Sequence, residues 1–119
     1  MEGDEKMGRV VDGYKQFVEQ ASKNAEVKGL ISGWDRVVQF IVDGDDDFYI
    51  ETKGGTISFN LGVHASPHVK LKGSEEVFYK MLTRELDQTR AYFAKQYTIE
   101  GSMSDAMKFG RIGTALAKG

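Results

Sequence analysis

The sequence predicts an α+β fold: a five-stranded, mostly antiparallel sheet covered on one face by helices. Three observations carry this. Residues 5 to 28 place apolar side chains at three- and four-residue spacing, the mark of an amphipathic helix. Residues 36 to 72 switch to alternation with a period of two, as half-buried strands do. From residue 74 the helical period returns, interrupted by one short alternating run around residue 97. A sheet that is apolar on one side needs a cover, and the helices supply it.

In the first helix Val10, Tyr14, Phe17 and Ala21 form one apolar stripe, and Gly29 is the expected C-cap. The segment GLISGW breaks the period and reads as a connector carrying the only tryptophan, Trp34. In the first strand Val38, Phe40 and Val42 share a face, while Ile41 leaves the opposite face only partly polar. Then comes VDGDDDFYIETKGGT, residues 42 to 56, which opens with four aspartates within five positions. An EF-hand calcium loop needs glycine at its sixth position and glutamate at its twelfth. Counting from Asp43 puts Phe48 and Gly54 there, and counting from Asp45 puts Ile50 and Thr56. Asp43 to Asp47 therefore read as a polar turn between two antiparallel strands.

Phe48, Ile50 and Thr52 next alternate with Tyr49, Glu51 and Lys53. Gly54-Gly55 is a two-residue turn of the kind hairpins favour. Ile57, Phe59, Leu61 and Val63 then alternate with polar or small residues, and after Pro67 so do Val69 and Leu71. These four strands are expected as an antiparallel meander with one apolar face and one wet face.

Ser74 is the expected N-cap of the next helix, with Glu75 and Glu76 favourable in its first turn. Its buried stripe is Val77, Phe78, Met81, Leu82 and Leu86. A shorter helix spans about Asp87 to Lys95, and QYTIEG reads as the last strand. Ser102 begins the final helix, with Asp105 where a capping box places its acid. Ala106, Gly110, Gly113 and Ala117 run along one side of that helix. Each interior glycine costs about 1 kcal/mol relative to alanine. The small residues signal either tight packing on the sheet or the wall of an apolar cavity. Flexible methionines beside them, Met103 and Met107, suit an irregular shape.

Composition narrows function by exclusion. A length of 119 residues suits a single domain, 1–119. A net charge of −2 argues against a nucleic-acid partner and allows at most transient contact with anionic membranes. With no cysteine, disulfides and thiol catalysis are excluded. No apolar run approaches the roughly 18 residues of a membrane span. MEGDEKMG is too acidic for a signal peptide and ALAKG is not a peroxisomal address, so a cytoplasmic protein is expected. The sequence lacks the nucleophile elbow, the His-Glu-x-x-His zinc motif and both glycine-rich phosphate loops. His64 and His68 are separated by strand pattern and Pro67, and read as flanking a turn rather than as a metal pair. No enzyme activity, cofactor or metal is expected.

The stretch from Val37 to Leu116, about two thirds of the chain, resembles the sterol carrier protein type 2 domain. VVQFIVDG is similar to the family's first strand and turn, and FYIETKGGTISF to its second and third strands. SPHVKLKGSEEVFYKMLTRELD is similar to its strand and capped helix. In TRAYFAKQYTIEGSMSDAMKF, the residues Ala91, Phe93, Ile99, Gly101, Ala106, Met107 and Lys108 fill the family's places. There are departures: Thr83-Arg84-Glu85 stands where the family often has Thr-Gly-Lys, Ala94-Lys95 where it commonly has Gly-Lys, and Ser102 where it often has asparagine.

The resemblance implies a non-catalytic lipid carrier. A tunnel between sheet and helices would take a fatty acid, a fatty acyl-coenzyme A or a sterol-like ligand. Its lining is expected from Phe40, Ile50, Phe59 and Leu61 on the strands, and from Phe78, Met81, Leu82, Met103, Met107, Ile112 and Leu116 on the helices. Lys108 and Arg111 either meet a carboxylate or phosphate head group or complement the dipole of the helix end. A monomer or homodimer is expected. Two rivals stand beside this: an interaction, dimerisation or substrate-delivery module serving a lipid-metabolising enzyme, and a small lipid enzyme using His64 or His68 as base.

Overall fold

The computed structural model describes residues 8–118, so residues 5 to 7 of the expected first helix lie outside the described residues. The helical region is two helices, not one. Helix α1 (Arg9–Ala21) buries Val10, Tyr14 and Ala21 as expected, together with Val11 and Val18. Helix α2 (Ala25–Ile31) starts afresh because Asn24 is extended and its side chain accepts from the Val27 N–H at 3.0 Å. Gly29 lies inside α2 rather than capping the first helix.

The acidic turn has a structural task. No side chain of its own caps α1, which follows Gly8. Asp45 does so from afar, its Oδ2 accepting from the N–H groups of Val10 and Val11 at 3.2 and 3.3 Å. Carboxylate at a helix N-terminus also meets the favourable end of the dipole. Asp47 accepts from the Val42 N–H at 2.8 Å and closes the turn between β1 (Arg36–Asp43) and β2 (Phe48–Lys53). Strand β3 (Thr56–Leu61) follows through Gly54 and Gly55, whose φ values of 58° and 80° are those of a type I′ hairpin.

The meander expectation fails at the fourth strand. The sheet order is β3-β2-β1-β4-β5, so β4 (Val69–Ser74) lies beside β1, not β3. It runs parallel to β1, pairing Val38 with Val69 and Phe40 with Leu71. Strand β5 (Tyr97–Gly101) closes the far edge antiparallel to β4. The sheet is thus mixed but mostly antiparallel. Gln39 helps anchor the chain as it passes from β3 to β4. Its fully buried amide donates to the carbonyls of Phe48 and Gly62 at 3.0 Å each and accepts from the His64 N–H at 2.7 Å. His68 completes the anchor, with its N–H on the Val37 carbonyl and its Nδ1 accepting from the Val37 N–H. Alternation assigns a residue to a face; it does not say which strand lies next door.

The register puts Val38, Phe40, Phe48, Ile50, Phe59, Val69, Leu71 and Tyr97 on one face. Helices α3 (Glu75–Leu82), α4 (Gln88–Phe93) and α5 (Met103–Lys118) complete the helical layer with α1. Ser74, Asp87 and Ser102 cap them, accepting from the N–H groups of Val77, Arg90 and Asp105. Gly101 is irreplaceable on two counts: its φ is 102°, and a Cβ would lie 2.5 Å from the His68 carbonyl oxygen.

Asp105 does not complete a capping box. Its carboxylate accepts from the Trp34 indole at 3.1 Å and from Arg36 Nε at 3.0 Å, clamping the start of α5 to the entry of β1. The Asp105 side chain is 10% exposed and that of Arg36 37%, so the pair is only partly shielded. Asp105→Ala strands a buried indole N–H and a half-buried guanidinium. We expect a loss of about 2 kcal/mol, below the range for fully buried pairs. Urea unfolding measures it; a loss under about 0.5 kcal/mol would mean that the clamp is not a stabilising contact.

Candidate functional site

Over β1 to β3 the space between sheet and helices is filled. Phe40 stacks on Phe48 with centroids 4.6 Å apart, and Phe48 on Phe59 at 5.1 Å. Tyr14 and Phe109 press on Phe40 from above at 4.9 and 5.7 Å. A hollow opens instead within the helical layer. It is a cavity of about 510 Å³ walled by α1, α3 and α5, and the sheet contributes only Phe40 and Leu71 to its floor. That volume lies within the range of small-molecule sites, roughly 300–1,000 Å³.

The wall of α5 explains its glycines. Gly110, Gly113, Leu116 and Ala117 face the hollow. A Cβ on Gly110 would lie 3.0 Å from the Gln88 side chain, whereas one on Gly113 would meet only Arg84 Nη1 at 3.4 Å and Phe17 at 3.7 Å. Gly110 therefore permits a close approach and Gly113 leaves room. Gly13 on α1 permits a close approach too, since a Cβ there would overlap Cδ2 of Leu82.

Exposed polar residues of α1, Asp12, Gln16 and Gln20, form the rim with Thr83 and Arg84. Arg9 also reaches it but is occupied, paired with Glu75 and lying over the Tyr79 ring at 4.0 Å. Burial pushes the Tyr14 phenol well above its usual range; Tyr97 adds to this and Arg84 pulls the other way. Burial likewise pushes Tyr97 up to about 12, opposed by the Gln88 side chain. Both rings are therefore neutral donors at physiological pH.

Of the residues expected to line a tunnel, Phe40, Met81, Leu82 and Leu116 meet at this cavity. Ile50, Phe78 and Ile112 are buried core that does not reach it. Phe59 lines a separate groove of about 430 Å³ along the other side of α1. Leu61 and Met103 are 62% and 39% exposed, because they sit at the ends of β3 and α5 where nothing covers the pattern. Met107 is half-buried and belongs to neither the core nor the cavity. Lys108 lies over the Trp34 ring at 5.5 Å, and neither it nor Arg111 lines the cavity. His64 packs edge-on against Tyr49, on the sheet face away from the helices. Neither histidine lines the cavity.

The one sequence signal at Arg84 is that it stands where the resembled family often has glycine. Arg84 follows α3 at φ 69°, with its N–H on the Met81 carbonyl and the next N–H on that of Lys80. This is a Schellman turn, whose left-handed residue is usually glycine. Arginine there costs about 1 kcal/mol. Lys95 occupies the same kind of turn after α4, at φ 61°, but lines no cavity.

The family model of the SCP-2 sterol transfer family matches residues 14–113. The chain belongs to this family. SCP-2 domains are lipid-binding or lipid-transfer modules, and the α+β sheet-and-helix layout is theirs. The sterol carrier protein domain 2 of Helicoverpa armigera is similar over 92% of this chain and 90% of its own, with 23% identity and a TM-score of 0.74. Palmitated SCP2L2 from Aedes aegypti is similar over 81% of this chain and 93% of its own, at 18% identity and a TM-score of 0.59. The sec-alkylsulfatase Pisa1 from Pseudomonas sp. carries the same fold in one part: the match covers 74% of this chain but 14% of the enzyme, at 16% identity and a TM-score of 0.61. No curated protein matches the sequence significantly. Among the described residues, no helix of this SCP-2 chain is long and apolar enough to cross a membrane.

Proposed function

We propose that residues 1–119 act as one carrier domain that shelters the alkyl tail of a fatty acid or fatty acyl-coenzyme A in the cavity among α1, α3 and α5, and that it does so without bond chemistry. One observation carries this reading: an apolar-floored hollow of about 510 Å³ under a polar rim, left open by glycine on α5. Family membership supports a lipid cargo, and the palmitated state of the Aedes relative favours a fatty acyl chain. The expected tunnel along the sheet is replaced in this reading by the cavity among the helices.

Burying about 14 methylenes releases roughly 11 kcal/mol. Association costs about 4 kcal/mol at the low end of its range. The remainder, about 7 kcal/mol, corresponds to Kd near 10 micromolar, weak enough for cargo to be handed on. Transfer in the cytoplasm, by a monomer or homodimer with only passing membrane contact, fits such an affinity. Titration with a fluorescent fatty acid, competed by palmitoyl-coenzyme A, is expected to saturate in the micromolar range. Absence of a saturable signal up to millimolar ligand overturns the reading.

A second reading has its own observation. The same fold forms part of a much longer alkylsulfatase, which favours a substrate-delivery or dimerisation module beside a lipid-metabolising enzyme. Gel filtration of the chain with and without such an enzyme separates the two.

A further inference from the structure

The cavity has an apolar floor, yet its rim holds a cation whose position is costly and whose charge is unpaired among the described residues. Arg84 is the left-handed residue of the turn after α3, where glycine would sit without strain. Its Nη1 lies beside Gly113, on the small-residue wall of α5. Among the described residues its guanidinium makes no ion pair and no hydrogen bond. The other cation of the lining, Arg9, is engaged by Glu75. Asp12 is the one acid of the lining and lies more than 4 Å from Arg84. The Tyr14 ring is buried and lines the same cavity, and its hydroxyl has no hydrogen-bond partner among the described residues.

We infer that Arg84 and the Tyr14 hydroxyl form a head-group site for the carboxylate of a long-chain fatty acid, so that the chain selects ionised fatty acids over neutral lipids of the same length. This rests on the carrier reading and adds to it the polarity and orientation of the cargo. A guanidinium presents two parallel donors that match a carboxylate. A phenol kept neutral by burial offers a third donor. The carboxylate sits at the rim between α3 and α5, and the tail runs inward over Met81 and Leu82 toward Phe40. The backbone strain at Arg84 is then explained by what the side chain does, since the turn by itself favours glycine.

The test compares palmitic acid with hexadecanol, equal in chain length but neutral at the head, by displacement of a fluorescent probe. The variants are Arg84→Gly, Tyr14→Phe and Lys95→Gly. Lys95 occupies the matching turn away from the cavity. Both glycine variants are expected to melt above the parent, because each relieves a left-handed non-glycine residue. Only Arg84→Gly is expected to lower the ratio of acid to alcohol affinity, by about tenfold. Tyr14→Phe is expected to lower it by about threefold. An unchanged ratio in a folded Arg84→Gly protein overturns the head-group site while leaving the carrier reading intact, as does a parent that binds both lipids equally. A parent that binds neither overturns both.

Discussion

Phe40→Ala is expected to lower stability by about 4 kcal/mol, at the upper end of what single core truncations do. The ring is 1% exposed and is packed against the rings of Tyr14, Phe48, Phe78 and Phe109, at centroid distances from 4.6 to 5.7 Å. Truncation removes its transfer free energy and leaves a void. The void cannot collapse easily, because β1 is the central strand and is held on both edges by β2 and β4. At the unfolding entropy usual for a chain of this size, the melting temperature falls by roughly 15 °C. Phe40 also forms part of the cavity floor, so the lost ring enlarges the cavity toward Phe48. Thermal and urea unfolding read the first effect. A loss under about 1.5 kcal/mol would mean that the aromatic cluster is not closely packed.

Gly113→Leu is expected to act the other way on stability and more strongly on cargo. A Cβ at Gly113 finds no contact shorter than 3.4 Å, so the backbone need not move. Removing a helical glycine stabilises by about 1 kcal/mol, or roughly 4 °C. The isobutyl group projects into the cavity, between Phe17 and the Arg84 guanidinium, and takes the space an alkyl chain would use. Fatty-acid affinity is expected to fall about a hundredfold, some 2.7 kcal/mol, or several buried methylenes. Gly113→Ala, which barely intrudes, should gain the stability with much less loss of affinity. A Gly113→Leu protein that melts higher and binds as tightly as the parent would place the cargo elsewhere.

The two substitutions also separate kinds of information in the chain. The glycines of the last helix were visible as a costly stripe, and their spacing led either to close packing or to a cavity wall. Both occur, at Gly110 and Gly113 respectively. The caps at Ser74 and Ser102, the Gly54-Gly55 turn and the inward faces of β1 to β3 were equally legible, because each depends on residues within a few positions. Asn24 carried a local signal too, as a capping residue three positions before Val27, but the apolar spacing across it masked the break between α1 and α2. The candidate lining was less readable. Phe40 and Leu116 reach the cavity while Leu61 and Met103 lie in the open, although all four follow the same apolar periodicity. Periodicity reports the face and not the distance to the end of an element.

By itself the sequence determined the α+β class, the order of its elements apart from the break at Asn24, and the apolar face of nearly every strand, because side-chain period and turn chemistry are local physics. Only the tertiary structure decided that β4 crosses to lie parallel with β1, that Asp45 caps a helix begun 35 residues earlier, and that Asp105 clamps Trp34 and Arg36 rather than its own helix end. It also decided that the hollow opens among the helices and that Arg84 stands at its rim. Each of these joins groups far apart in the chain, where many partners satisfy the same local pattern, and the choice among them is made by which packing buries the aromatic rings while leaving no fully buried side-chain nitrogen or oxygen among the described residues without a partner.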